Sequence, residues 1–228
     1  MKRREKKEVV RIMKSVVLVL SFVEEEASGG GGCCGICIFL EMEGLSFVRE
    51  SEVKWACVVR PGFRFLGNRK SLVGLRPRVI RGNGSEIIAL SKASVGATEV
   101  VDSSHESMDA MEAAKTLAQS SGSIIAVSGA VDIITYGHQV VGAHNGVPMM
   151  QKITATGCAV TALIAAFVAV DPLHALEATA SAMSIFGIAG EMGTDMANGP
   201  ASLRMHFIDS LYNLDQASVS ARLKITSL

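Results

Sequence analysis

Apolar and polar positions follow two different periods in the second half of the chain. Between Glu106 and Gln119 apolar residues recur every three or four positions, which is typical of an amphipathic helix, and Ser120-Ser121-Gly122 follows as a stop signal. The run Ile124-Ile125-Ala126-Val127 is then continuously apolar, which predicts a strand buried on both faces. Helical and strand periods therefore follow one another, as they do in α/β folds.

Shorter elements follow this strand. The short apolar pattern of strands occurs three more times, at 133–136, 139–142 and 148–150. Gly137-His138 and Asn145-Gly146 are typical of the turns between such strands. Helical patterns are predicted at 159–170, 173–192 and 200–211, and the breaks between them contain proline.

Upstream of these elements, Arg78-Val79-Ile80 predicts one more strand. Asn83 or Ser85 follows it, and the side-chain oxygen of either residue can cap a helix that starts near Glu86. The alternation of strands and helices predicts an α/β sandwich, with a mainly parallel sheet flanked by helices.

Composition excludes some partners. The chain has 228 residues, of which 49% are hydrophobic, and its 22 basic and 22 acidic side chains give a net charge of zero. Nucleic acids and anionic membranes usually require a basic surplus, so we expect neither as a partner. The charges are unevenly placed, because residues 1–81 carry 16 of the 22 basic side chains and 9 of the 22 acidic ones.

The first part of the chain shows no functional motif. The five cysteines have no disulfide spacing, and Cys34-Gly35-Ile36-Cys37 has no second CxxC, so we interpret them as unpaired thiols in a reducing compartment and expect a cytoplasmic protein. The apolar run 15–23 is too short for a membrane span and is followed by glutamates rather than a cleavage site. We predict an atypical, poorly ordered segment over 1–60 and a domain over 61–228.

The most informative stretch is Lys152 to Thr161, where a Thr/Gly turn leads into a small, apolar helix. Backbone N–H groups at the start of a helix point outward at the positive end of its dipole, and this arrangement stabilises phosphate. An ordinary helix N-terminus capped by threonine has the same spacing, so the sequence alone leaves both interpretations open.

Six motifs in this chain resemble hydroxyethylthiazole kinases, in the order and at the approximate spacing of that family. They are Arg81-Gly82-Asn83-Gly84-Ser85-Glu86-Ile87, Val127-Ser128-Gly129-Ala130-Val131-Asp132, Thr154-Ala155-Thr156-Gly157-Cys158, Gly187-Ile188-Ala189-Gly190-Glu191, Gly199-Pro200-Ala201-Ser202 and Leu211-Tyr212-Asn213-Leu214. The resemblance extends from Gly62 to the C-terminus.

The resemblance implies a ribokinase-like α/β fold that is incomplete on its N-terminal side. It also implies transfer of the γ-phosphate of ATP to the hydroxyl of 4-methyl-5-(2-hydroxyethyl)thiazole in thiamine salvage, with Mg²⁺ as cofactor. The family is typically a homotrimer whose active sites lie between subunits.

Three residues match nucleotide and metal positions of the family. The resemblance assigns Arg81 and Ser128 to ATP binding, and a guanidinium there can form charge-assisted bonds to phosphate oxygens. It assigns Glu86 to the magnesium and phosphate region, which suits a hard oxygen ligand. A glutamate near a helix start can equally belong to a capping box, and this alternative stays open.

The Thr/Gly turn supplies the remaining candidates. Ala155, where the family usually has glycine, and Gly157 match substrate-binding positions, and the contact at Ala155 is preserved if it uses the backbone. Cys158 matches the position of the base that accepts the proton of the acceptor hydroxyl. A thiol at a helix N-terminus is suited to this role, and a buried structural cysteine is the alternative. Asp132 has two interpretations, holding its own turn or contacting the nucleotide, and the first is favoured.

Residues 1–60 lack the Asp-Pro-Val element and the thiazole-binding segment of the family. Val59-Arg60-Pro61 stands where Asp-Pro-Val is expected, and Gly62-Phe63-Arg64 resembles the Gly-Phe-Arg that follows it. Two hypotheses result. One is an ATP-dependent hydroxyethylthiazole kinase, and the other is a truncated, inactive fragment that binds nucleotide weakly or assembles with an intact paralogue.

Overall fold

A computed structural model describes residues 37–41, 55–59, 77–95 and 106–228 of the chain. Its strands are β1 (Cys37–Glu41), β2 (Trp55–Val59), β3 (Val79–Asn83), β4 (Ile124–Ser128), β5 (Asp132–Thr135), β6 (Val140–Ala143) and β7 (Ile225–Ser227). Its α-helices are α1 (Gly84–Val95), α2 (Glu106–Ser121), α3 (Thr156–Val170), α4 (Ala175–Met196), α5 (Pro200–Asn213) and α6 (Gln216–Arg222). Two 3₁₀ helices span Pro148–Lys152 and Pro172–His174.

The seven described strands form one sheet in sequence order from β1 to β7. The β2–β3 and β3–β4 pairs are parallel, whereas the other pairs are antiparallel. Short connections explain this mixture, because a turn of a few residues joins β4 to β5 and β5 to β6, whereas parallel neighbours require a long crossover. The helices α1 and α2 lie in the connection from β3 to β4 and allow that pair to be parallel.

The sheet separates two apolar cores. Successive strand side chains point to opposite faces, so Val79 and Ile80 of β3 enter different cores. One core contains side chains of α1 and α2, and the other contains side chains of α3, α4 and α5. The predicted α/β sandwich is therefore confirmed, but the described sheet between the two helical layers is mixed rather than mainly parallel, since only two of its six strand pairs are parallel.

Most predicted elements are confirmed within a few residues of their expected ends, and one is wrong. The stretch 148–150 was expected to be a strand, but it lies in the 3₁₀ helix Pro148–Lys152. Val147 before it is extended, and Pro148 stands in the first turn, where its fixed φ favours helical geometry.

The first 60 residues are described only at β1 and β2, which pair with each other and join the sheet through β3. The rest of the segment, including Cys34 and residues 15–23, lies outside the described residues. The division near residue 60 stays a prediction. Within the described parts of the chain, no helix is both long and apolar enough to span a lipid bilayer.

Candidate active site

A cleft of about 480 Å³ opens at the carboxyl ends of the parallel strands β3 and β4. In open α/β sheets ligands bind at this edge, where the strands end and the chain passes into loops and helix starts. The cleft is lined by the ends of β3 and β4, the turn from β4 to the start of β5, the segment 145–151, the start of α3 and one face of α4.

Arg81 contacts two of the other predicted site residues. Its guanidinium donates from Nη2 to the hydroxyl of Ser128 at 2.5 Å and from Nη1 to the carbonyl of Gly157 at 3.3 Å. The side chain is only 7% exposed, and all three residues line the cleft. Arg81, Ser128 and Gly157, which lie far apart in the sequence, therefore form one connected group around a buried positive charge.

The start of α3 presents its first-turn amides without a capping side chain. The N-cap is Ala155, with φ 70° and ψ 0°, and no side-chain bond caps the helix. The hydroxyl of Thr156 donates instead to the carbonyl of Ile153 at 3.3 Å. The alternative of a threonine-capped N-terminus is therefore wrong, and this helix end has the form that binds anions in other proteins.

The predicted residues of this turn lie in different surroundings. Thr156 and Gly157 line the cleft. Cys158 is the next residue, but its side chain is 1% exposed and it is not among the residues that line the cleft. Ala155 is not a lining residue either, and its backbone conformation is the notable feature, because Ala155 is the one non-glycine among the described residues with positive φ.

Glu86 forms a capping box with Asn83. Its Oε2 accepts from the backbone N–H of Asn83 at 2.9 Å, while the side chain of Asn83 accepts from the N–H of Glu86 at 2.8 Å. Asn83 rather than Ser85 thus caps α1. Asn83 lines the cleft, so the capping box holds part of its wall.

The described residues do not by themselves form a magnesium site. No group of three or more His, Cys, Asp or Glu side chains in this part of the chain is placed to hold a metal ion. The carboxylate of Glu86 is engaged at the start of α1, and Asp132 is the acidic residue among those that line the cleft. Magnesium usually needs only one or two carboxylates together with phosphate oxygens, and Asp132 is the carboxyl that lines the described cleft.

Asp132 holds the turn between β4 and β5, as expected. Its Oδ1 accepts from the N–H of Gly129 at 3.0 Å. Burial raises the pKa of Asp132 to about 6, although the bond from Gly129 and the positive charge of Arg81 both act to lower it. A carboxyl that titrates near neutral pH therefore faces the cleft beside the buried guanidinium.

The segment 145–151, which forms one wall of the cleft, was not predicted as part of the site. Asn145 and Gly146 were interpreted only as a turn, and Glu191 was recognised within a motif without a role. In the structure Glu191 accepts hydrogen bonds from both Asn145 and Gly146. The spacing of Gly187, Gly190 and Glu191, which places all three on one helix face, was the available signal.

Comparison with known proteins shows the family to which this chain belongs. A model of the hydroxyethylthiazole kinase family matches residues 63–217. Hydroxyethylthiazole kinase of Arabidopsis thaliana is 62% identical over 173 residues, which cover 76% of this chain and 62% of the relative. The enzyme of that name from Zea mays is 60% identical over 158 residues, covering 68% of this chain and 56% of the relative.

A solved structure is also similar. The structure of hydroxyethylthiazole kinase protein from Pyrococcus horikoshii OT3 superposes with a TM-score of 0.62 at 31% identity, over 70% of this chain and 59% of that chain. The present chain spans about three-fifths of the length of the curated relatives it matches.

Proposed function

Because this chain belongs to the hydroxyethylthiazole kinase family, we propose that it transfers the γ-phosphate of ATP to the hydroxyl of 4-methyl-5-(2-hydroxyethyl)thiazole, a step of thiamine salvage. The observation that carries the proposal is the group formed by Arg81, Ser128 and Gly157, which places a buried guanidinium beside an uncapped helix start in one cleft.

The phosphate end of ATP is assigned to this group. Phosphoryl transfer depends mainly on positioning and on stabilisation of the charge that is spread over phosphate oxygens. A guanidinium fixed by Ser128 and Gly157 supplies charge without having to be reoriented during the reaction. The first-turn amides of α3 supply N–H donors at the positive end of the helix dipole.

Cys158 is proposed as the proton acceptor. The acceptor oxygen attacks the γ-phosphorus, its proton passes to the thiolate form of Cys158 and gives the neutral thiol, and the bond from the γ-phosphorus to the bridging oxygen of ADP breaks. Support comes from the family motif and from the place of Cys158 directly after Thr156 and Gly157, which line the cleft. Ala155 and Gly157 are assigned to the bound alcohol through their backbone.

Magnesium enters this proposal as the ion of the MgATP substrate. Phosphate oxygens and water supply most ligands of such an ion, and no step is assigned to a protein-bound metal. Glu86 acts in the proposal as the capping residue that holds Asn83 in the wall of the cleft. We further propose a cytoplasmic homotrimer with sites between subunits, which analytical ultracentrifugation of the purified chain tests.

The function is tested by following ADP release from purified protein in the presence of MgATP, with and without the thiazole alcohol. We expect acceptor-dependent turnover, and we expect Cys158→Ala to lower kcat by about 100-fold, the usual scale for loss of a general base. Cys158→Ser preserves the size of the side chain and serves as the matched variant, with an intermediate rate.

The same assay separates the second candidate, an inactive fragment that binds nucleotide weakly or assembles with an intact paralogue. This candidate is kept because the chain spans only about three-fifths of the length of its curated relatives. Turnover no higher than that of Cys158→Ala, together with co-purification of a longer family member, would support the fragment and reject catalysis by this chain.

A further inference from the structure

The segment 145–151 forms a wall of the cleft but has little regular structure of its own. Only its second half belongs to an element, the 3₁₀ helix Pro148–Lys152, and that element buries none of its residues. The residues Gly146, Val147, Pro148 and Met150 nevertheless line the cleft. Some other part of the fold must therefore fix the place of this wall.

We propose that Glu191, on α4, is the positioning residue that fixes this wall of the cleft. Its Oε1 accepts from Asn145 Nδ2 and from the backbone N–H of Gly146, both at 3.1 Å. Lys224 Nζ lies 3.5 Å from the same oxygen. A single carboxylate thus holds two consecutive residues at the start of the wall, one through its side chain and one through its backbone.

Because Glu191 is largely buried, its hydrogen bonds strongly favour one position of the wall. The side chain of Glu191 is 12% exposed, and a carboxylate in such a place needs hydrogen-bond donors. Gly146 has φ 124°, a conformation that side chains rarely adopt, so its N–H reaches Glu191 from a position that glycine allows. The carboxylate and the unusual turn depend on each other.

The face of α4 is shaped for the same segment. A Cβ at Gly187 would lie 2.5 Å from the backbone carbonyl of Asn145, and a Cβ at Gly190 would lie 2.2 Å from Met150 Sδ. Gly187, Gly190 and Glu191 are spaced so that they share one helix face. Gly187 and Gly190 allow the wall to approach α4 closely, and the hydrogen bonds to Glu191 fix its position.

Asn145 also connects the wall to the C-terminal part of the chain through two further hydrogen bonds. Its Nδ2 also donates to the carbonyl of Arg222 at 2.7 Å, and its Oδ1 accepts from the N–H of Lys224 at 3.0 Å. The side chain is 7% exposed. The wall is therefore held between α4 and the segment that joins α6 to β7, and the carboxylate of Glu191 accepts from the wall within this network.

The functional consequence rests on the proposed kinase activity. Gly157, which is assigned above to the bound alcohol, lines the same cleft as the wall at 146–150, so we place the alcohol between the start of α3 and this wall. Small displacements of such positioning groups have large effects on reaction rates. We expect Glu191→Ala to raise the KM of the thiazole alcohol about tenfold and to change the KM of ATP less than about twofold.

The test combines amide hydrogen exchange with kinetics in the full chain. In Glu191→Ala, peptides that cover 144–152 should exchange at least about fivefold faster, with little change in α1 and α2. Glu191→Gln retains an acceptor oxygen and should restore most of both properties. Glu177→Gln, which removes an exposed carboxylate near the start of the same helix, is the matched control and should leave both unchanged.

If Glu191→Ala does not fold, a second pair of variants tests whether Glu191 fixes the wall. Asn145→Asp places a second carboxylate beside Glu191 and should increase exchange at 144–152, whereas the double change Asn145→Asp with Glu191→Gln restores a donor and should reverse that increase. Unchanged exchange at 144–152, or an increase spread evenly over the chain, overturns the role of Glu191. Absence of turnover in the unmodified chain counts against the proposed kinase alone, since the exchange pattern is read independently.

Discussion

At the scale of single residues, the cleft depends on a few buried polar groups that contact one another. Arg81 contacts Ser128 and Gly157, and its charge also acts on Asp132. The sequence predicted Arg81, Ser128 and Gly157 separately, through motifs. Their mutual contact was not predictable, because side-chain hydrogen bonds across 76 and 47 positions leave no local pattern.

The pKa of Asp132 leads to a prediction about stability. It rises from 3.8 to about 6 on folding because burial disfavours the charged form. The folded chain therefore holds this proton more tightly than the unfolded chain. The stabilisation is fully present below about pH 3.8 and is lost as the pH rises towards 6.

Asp132→Asn removes the buried charge but retains an oxygen that can accept from Gly129. We expect its free energy of unfolding at about pH 7.5 to exceed that of the unmodified chain by about 1–3 kcal/mol, and the gain to disappear near pH 4. Urea unfolding at both pH values measures this. The exposed Asp209→Asn should change stability by less than about 0.5 kcal/mol at either pH. A stability loss in Asp132→Asn at the higher pH would show that its attraction to Arg81 outweighs burial.

At the scale of elements, local patterns predicted most helices and strands because their cause is local. The apolar periodicity of α2 and the continuous run in β4 lie within single segments. The strand β7 was not predicted, since it has three residues, all exposed, and forms through pairing with β6. The error at 148–150 has a similar origin, because a short apolar run with a proline has no clear period.

The start of α3 is the element that combines function with strain. Ala155 adopts a left-handed conformation at the N-cap, which costs a residue with a Cβ about 1–2 kcal/mol. Glycine, which the family usually has there, adopts this conformation without that cost but loses more backbone entropy on folding. The sequence predicted the turn and its departure from the family, whereas the sign of φ required the structure.

Ala155→Gly should therefore stabilise the fold slightly. We expect the free energy of unfolding to rise by about 0.5–1 kcal/mol, the difference between the relieved strain and the added entropy cost. Ala113→Gly, within α2, is the matched control and should destabilise by about 1 kcal/mol. Thermal unfolding of the variants measures both. If both substitutions lower Tm equally, the backbone at Ala155 is not left-handed in solution.

At the scale of the whole molecule, the fold brings distant parts of the chain to one edge of a sheet. The cleft combines the end of β3 with α3 and α4, and the C-terminal residues Arg222 and Lys224 secure its wall through Asn145. The family could be inferred from the order of the motifs. The network around Asn145 and Glu191 could not, because it depends on how α4 packs against a loop and a late strand.

We propose that the cleft around Arg81 performs phosphoryl transfer to the thiazole alcohol. The most direct measurement follows phosphorus radiolabel from the γ-position of ATP in the presence of that alcohol. We compare the unmodified chain with Arg81→Ala and with Arg78→Ala, whose side chain is exposed and donates to the carbonyl of Pro172.

We expect label in the thiazole alcohol with the unmodified chain and with Arg78→Ala. We expect at least about a tenfold lower rate with Arg81→Ala, as loss of a charge-assisted bond implies. Label that appears only in inorganic phosphate, or an equal rate with a folded Arg81→Ala protein, would contradict the claim.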